Sequence, residues 1–247
     1  MHRGFSPRCN IMKKYLLPSF LISSLSLLAG CSSVETSPIE SFSHFSAGEV
    51  IEDGVQFYWL TEWLSRTSSA ADYVMMGDKG AYQSDYRWSE GELRELMRTG
   101  THLSAAHGLV PFQIHIRFNK KGEAIYQRYR VNGRILPLQQ NQLDNYKMEA
   151  KSVVASVRKL SSRGESLIQG HWSDSSGFRS CHDGRKYSVS SLGQMSTMLA
   201  NGNPPYSDKY YIAFTGQESR YTVQANQLLM TKPNSFECVK RPTLLAE

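Results

Sequence analysis

Apolar and polar residues alternate with a period of two along most of the chain beyond residue 48, and the period changes to that of a helix once. Phe112, Ile114, Ile116 and Phe118 alternate with Gln113, His115, Arg117 and Asn119, the pattern of a strand buried on one face. Residues 120–123 turn this strand into another over 124–131. Asn132-Gly133 then leads into a third over 134–138, since both residue types tolerate the positive φ of a tight hairpin turn. Upstream, 50–64 reads as one long strand with large side chains on both faces: Val55, Phe57 and Trp59 on one, Tyr58 and Leu60 on the other. Strands over 70–76 and 82–88 flank a turn at Gly77-Asp78-Lys79-Gly80, while 90–98 fits a helix or a strand equally well. Shorter strands are expected at 166–172, 178–181, 187–189, 209–215, 221–224 and 236–239.

The helix is expected over 141–162. Leu143, Tyr146, Ala150, Val153, Val154, Val157 and Leu160 form its apolar stripe, and Arg163-Gly164 ends it. The fold class predicted from this pattern is α+β: an antiparallel sheet, strongly curved or flat, packed on one long amphipathic helix. The expected organisation is a signal over 1–30 with Met12 as the true start, a lipidated cysteine and flexible tether over 31–48, and a single domain over 49–247.

The opening segment supplies an address. Lys13 and Lys14 precede an apolar run that closes on Leu28-Ala29-Gly30-Cys31. That run is shorter than the ~20 residues a membrane-crossing helix requires. It resembles a bacterial lipoprotein signal, which implies that Cys31 becomes the first mature residue and carries the acyl chains. Ser32 in the next position resembles proteins forwarded to the outer membrane, so the expected location is its periplasmic face, with the membrane as a partner through the lipid anchor. The serine-rich 32–46 segment reads as the tether.

Charge is less telling than it first looks. The formal charge of +6 includes Arg3, Arg8, Lys13 and Lys14, and without them it falls to +2, too little to imply nucleic acid as a partner. The distribution is uneven: residues 31–92 carry −8 and residues 93–247 carry +10. Mutual neutralisation of the two segments is the plain reading. The alternative is a basic surface for anionic lipid or an envelope protein, formed by Arg117, Lys120, Lys121, Arg128, Arg130 and Arg134 and continued at Lys147, Lys151, Arg158 and Lys159. The oligomeric state is not specified by any of these features. Once Cys9 is cleaved and Cys31 acylated, Cys181 and Cys238 remain, which in an oxidising compartment form a disulfide most simply. A metal or redox role beside His182 is the alternative.

No catalytic, cofactor or metal motif is found. Ser156-Val157-Arg158-Lys159 fits the two-residue pattern of penicillin-recognising enzymes, but it lies late in the predicted helix and the partner motifs are missing. His171, Asp174 and His182 could group around a metal, and scattered loop histidines are the plainer reading. Phe57, Trp59, Trp63, Tyr86, Trp88, Tyr126, Tyr129, Tyr210, Tyr211 and Phe214 either fill the core or line an apolar cavity.

Several short motifs occur together in order: Asp85-Tyr86-Arg87-Trp88, Ile114-His115-Ile116-Arg117-Phe118 with its Gly122 turn, the 141–162 helix, Gly170-His171-Trp172 followed by Cys181, and the late Cys238. In this order the chain resembles a family of bacterial lipoproteins catalogued as domain of unknown function 1481. The resemblance implies a lipoprotein signal and one domain, and it assigns no catalytic residue. The expected function is a lipid-anchored, non-enzymatic interaction module of the envelope. The alternative is a carrier of a small hydrophobic ligand or acyl chain in an aromatic-lined cavity.

Overall fold

The computed structural model describes residues 42–173, 175–190 and 209–245. Eight antiparallel strands come first: β1 (Phe42–Ile51), β2 (Gly54–Trp63), β3 (Arg66–Met75), β4 (Gly80–Ser89), β5 (Glu92–Ser104), β6 (Gly108–Phe118), β7 (Ala124–Val131) and β8 (Arg134–Leu136). Their order in the sheet is their order in the chain, each paired to the next through a hairpin. The helix α1 (Gln140–Ser161) follows, opened by a capping box in which the Gln139 and Gln142 side chains satisfy each other's backbone N–H groups. The remaining strands, β9 (Ser166–Ser173), β10 (Gly177–Ser180), β11 (Lys186–Ser190), β12 (Lys209–Glu218) and β13 (Thr222–Pro233), close into a barrel in the order β10-β11-β13-β12-β9.

This corrects the α+β expectation of one sheet packed on a long helix. The protein is mostly β, with two sheets, one of them a closed five-stranded barrel, and one α-helix among the described residues. The helix covers part of one sheet and does not organise the second. Alternation along the chain could not reveal the closure, because it depends on pairings between distant segments: β9 with β12, and β11 parallel to β13.

Two boundaries also move. The stretch 50–64 is not one strand, since Glu52 and Asp53 turn it back on itself before Gly54. The first strand starts at Phe42, so β1 takes up part of the stretch expected to be tether. Residues 236–239 form no strand. They lie in an extended tail after β13 that packs back on the sheet.

Three apolar clusters hold the domain. Leu143, Ala150, Val153, Val154 and Val157 of α1 pack on Leu60, Ala70, Tyr86, Leu96, Ile114 and Ile116 of the sheet. Phe178, Tyr187, Tyr210, Ile212, Phe214 and Val223 fill the barrel. Val55 and Phe57 on the opposite face of β2 meet Tyr211, Ala213 and Leu229 of the barrel. Gly48 of β1 lies at this seam, where a Cβ would stand 2.5 Å from a Leu229 methyl.

Candidate functional site

Three surfaces and one buried cluster carry the polar and exposed apolar chemistry of the domain. The first surface is the end of the sheet where β1 begins. Phe42 and Trp63 are cross-strand partners there, about half exposed at 53% and 47%, with Leu64 next to them at 61%. Phe42 and Trp63, with Trp88, Arg66 and Glu90, border a groove of about 400 Å³. Leu64 and Ser65 form the β2–β3 turn with φ of +48° and +62°, the backbone that Asn-Gly or Gly-Gly normally supplies. A branched side chain at such a φ costs about 1 kcal/mol or more. The fold tolerates that cost at the position that puts Leu64 at the tip.

The second surface is the free edge of the sheet. β8 is paired on one side only, and its Ile135 and Leu136, together with Ile125 and Tyr126 of β7, are exposed. Arg128, Arg130 and Arg134 belong to the same two strands, and no acidic residue does. The rest of the basic surface anticipated from sequence is partly neutralised. Lys120 pairs with Glu90 at 2.9 Å and Lys147 with Asp144 at 3.5 Å. Arg158 donates to Glu62 at 2.9 Å, and Arg117 lies 3.9 Å from Glu95. Glu95 also meets His115 at 2.7 Å. Lys120–Glu90 and Arg158–Glu62 join the basic half of the chain to the acidic one, whereas the Lys147 and Arg117 pairs lie within the basic half, so the charge asymmetry between the two halves is cancelled only in part.

The third surface is a cleft of about 480 Å³ between β1 and the barrel, bordered by Trp59, Gln169, Cys181, His182, Cys238 and Arg241 among others. Cys181 and Cys238 are joined in a disulfide, as the cysteine count suggests. His171 lies against it, with Nε2 3.8 Å from the Cys238 Sγ and Nδ1 3.2 Å from Asn234 Oδ1. His182 is not part of this cluster, and Asp174 lies outside the described residues. The histidine set considered from sequence is thus replaced by His171, Cys181 and Cys238, three half-buried residues whose ligand atoms lie within 4.8 Å of one another. Asn234 carried no signal in the sequence, since it comes from a turn more than sixty residues from its partner.

Beneath α1 is a buried polar cluster that the sequence reading missed. One row across the sheet places Tyr58, Asp72, Ser84, Arg98 and Ile114 side by side. Arg98 is buried and donates to Ser84 at 2.8 Å, the Tyr86 hydroxyl at 3.0 Å and Glu149 of α1 at 2.7 Å. Its guanidinium also lies 4.3 Å from the Tyr82 ring centre. Asp72 accepts from Gln56 at 2.9 Å, while its second oxygen has no partner. Burial pushes the Asp72 carboxyl up, against the pull of Arg98, and pushes the Tyr82 hydroxyl up to about 12. This cluster is closed by α1, and its chemistry is that of a clamp tying helix to sheet. Ser156 of the Ser-x-x-Lys match, on α1, hydrogen-bonds the hydroxyl of Tyr58 on β2.

The aromatic residues that could have lined one cavity divide among separate places. Tyr86, Trp88 and Tyr129 belong under α1, Phe57, Trp59 and Tyr211 to the seam, and Tyr210 and Phe214 to the barrel. Trp63 and Tyr126 are exposed. Cys31 lies outside the described residues.

A family model described as "Protein of unknown function (DUF1481)" matches residues 46–243, a span that includes both sheets, the helix and the disulfide. No curated protein and no solved structure matches the chain.

Proposed function

The chain belongs to the DUF1481 family, and from that premise we propose that it is a lipid-anchored, non-enzymatic interaction module that sits on the periplasmic face of the outer membrane. The observation that carries the proposal is the exposed tip of Phe42, Trp63 and Leu64, held out on a costly turn where the folded domain begins. Tryptophan is enriched at the boundary between lipid and water, phenylalanine and leucine enter the acyl side of it from interfacial faces, and Arg66 beside them can meet anionic headgroups. The eleven residues from Cys31 to Ser41 reach roughly 35–40 Å when extended, so an anchor at Cys31 and contact at the tip are geometrically compatible. The free β8 edge would then be the surface offered to a partner, with unpaired backbone groups for strand addition and arginines favouring an acidic segment.

Metabolic labelling with a radioactive fatty acid tests the anchor. Label on the protein, lost in Cys31→Ser together with sedimentation in the membrane fraction, is the expected result. An unlabelled protein, or a Cys31→Ser variant that sediments equally well, contradicts it. The carrier reading has less support, because the large aromatic side chains pack into separate cores instead of around one cavity.

A further inference from the structure

Cys181 opens the turn after β10, Cys238 lies in the tail, and His171 is on β9. They bring two sulfurs and one imidazole nitrogen together within 4.8 Å. In the oxidised state the sulfurs are used up in the bridge. What makes the cluster more than a disulfide with a neighbour is the arrangement around it.

The first feature is the orientation of His171. Its Nδ1 is 3.2 Å from Asn234 Oδ1, and an amide oxygen can only accept, so Nδ1 carries the proton and, in the neutral ring, Nε2 keeps its lone pair. That lone pair faces the Cys238 Sγ at 3.8 Å. A histidine whose outer nitrogen donates to an oxygen while the inner one faces the ion is the arrangement that metal sites use to fix the ring.

The second feature is that the segments bearing the sulfurs are held without the S–S bond. Gln169 grips Val239 from both sides, accepting from its N–H at 3.0 Å and donating to its carbonyl at 3.0 Å. The Tyr211 hydroxyl donates to the same Gln169 oxygen at 2.7 Å. Phe236 packs on the Tyr211 ring at 4.9 Å. The Cys181 N–H donates to the Gln169 carbonyl at 2.8 Å. Further along the tail, Asp85 accepts from the N–H groups of Leu244 and Leu245 at 3.1 Å each. Reducing the bridge therefore frees the sulfurs and leaves in place the backbone that positions them. Loop closure over 57 residues stabilises the oxidised domain against the unfolded chain, but the hydrogen bonds that hold the tail at Val239, Leu244 and Leu245 are made by atoms other than the sulfurs.

We propose that Cys181–Cys238 is a redox-responsive bridge whose reduced form, with His171 Nε2, is a Cys₂His site for a thiophilic cation such as Zn²⁺. In the first step a dithiol reductant passes two electrons and two protons to the bridge. One S–S bond breaks, two thiols form, and the reductant becomes a disulfide. In the second step the cation takes two thiolates and the neutral imidazole, and the two thiol protons go to solvent. A water completes the tetrahedron that zinc adopts with such ligands. All three residues are half-buried, and Cys181 and Cys238 border the 480 Å³ cleft, which gives an ion a way in.

The test uses the full chain with Cys9→Ser and Cys31→Ser, so that only the two site thiols remain, treated with a phosphine reductant that does not bind metal. Calorimetry with Zn²⁺ should show one ion per reduced chain and none for the oxidised chain. Co²⁺ in place of Zn²⁺ should give the absorption of thiolate-to-metal charge transfer. His171→Gln should weaken binding at least tenfold, and Asn234→Ala about tenfold through the lost ring orientation. Circular dichroism before and after reduction checks that the domain stays folded. Equal binding by the oxidised chain, no binding by the reduced chain, unchanged affinity in His171→Gln, or unfolding on reduction would each overturn the proposal.

Discussion

The eight-stranded sheet and the five-stranded barrel solve the same problem, burying one face of a set of strands, in opposite ways. The sheet runs as consecutive hairpins and uses α1 to cover one face, through Leu143, Ala150, Val153, Val154 and Val157. It is left with a free edge at β8 and an exposed tip at Phe42, Trp63 and Leu64. The barrel closes on itself, so its hydrogen-bonding edges are used up, and its own side chains fill the centre. The unpaired β8 edge and the exposed aromatic tip therefore both belong to the sheet. The barrel serves as the support on which β1 and the C-terminal tail rest, and it brings His171 of β9 and Cys181, just after β10, to Cys238 of the tail.

The contrast can be broken hardest inside the barrel. Phe214 is fully buried, and Phe214→Ala should cost about 3–5 kcal/mol in denaturant unfolding. Hydrogen exchange should then show protection lost in β9 to β13 first, with β3 to β6 retained. Equal loss throughout would mean that the two regions form one cooperative unit.

Arg98→Met addresses the other side of the comparison. It leaves Asp72 buried without its cation and releases Glu149 of α1, so stability should fall by about 3 kcal/mol. The loss should be centred on the helix and sheet, with the barrel core unaffected at first.

Asp72→Asn is the gentlest of the three and the one with a pH signature. Because burial raises the folded-state pKa of Asp72, the folded protein holds this proton over a range where the unfolded chain has released it. Stability from this group is therefore greatest at acid pH and is lost as pH rises from the ordinary carboxylate range through the raised value. Asp72→Asn should remove that slope and raise stability near neutral pH by about 1 kcal/mol. A variant whose unfolding keeps the same pH dependence would show that Asp72 is not the group responsible.

How much of this was legible beforehand follows from which interactions are local. The β6 to β8 meander and α1 could be read closely, since alternation, Asn132-Gly133 and the 3.6-residue stripe are all properties of neighbouring residues. The β2–β3 turn was hidden because Leu64-Ser65 has none of the residues that usually mark positive φ, and it was swallowed into the end of a strand. In β12, Tyr210 to Gly216 is buried on both faces, so its pattern marks a strand but not a barrel. Asp72 and Arg98 looked like ordinary polar positions on alternating strands. Only the register of two hairpins, which places them on either side of Ser84 with β4 between, turns them into a clamp.

The same distinction applies to the site residues. The Cys181–Cys238 pairing followed from counting, whereas His171 and Asn234 joined it only through the packing of β9 against the tail. The tip is an intermediate case. Trp63 and Trp88 stood out by type, but their position beside Phe42 depends on the pairing of β1 with β2 and on the groove they share.

Whether the sheet meets lipid at its tip and leaves its edge for a partner, as proposed, is read most directly by photo-crosslinking in living cells. A photoreactive amino acid is placed at Leu64 in one strain and at Ile135 in another, both in the anchored chain. The account predicts phospholipid adducts from position 64 and protein adducts from position 135. Protein adducts alone from position 64, or phospholipid adducts at equal yield from both positions, would contradict it.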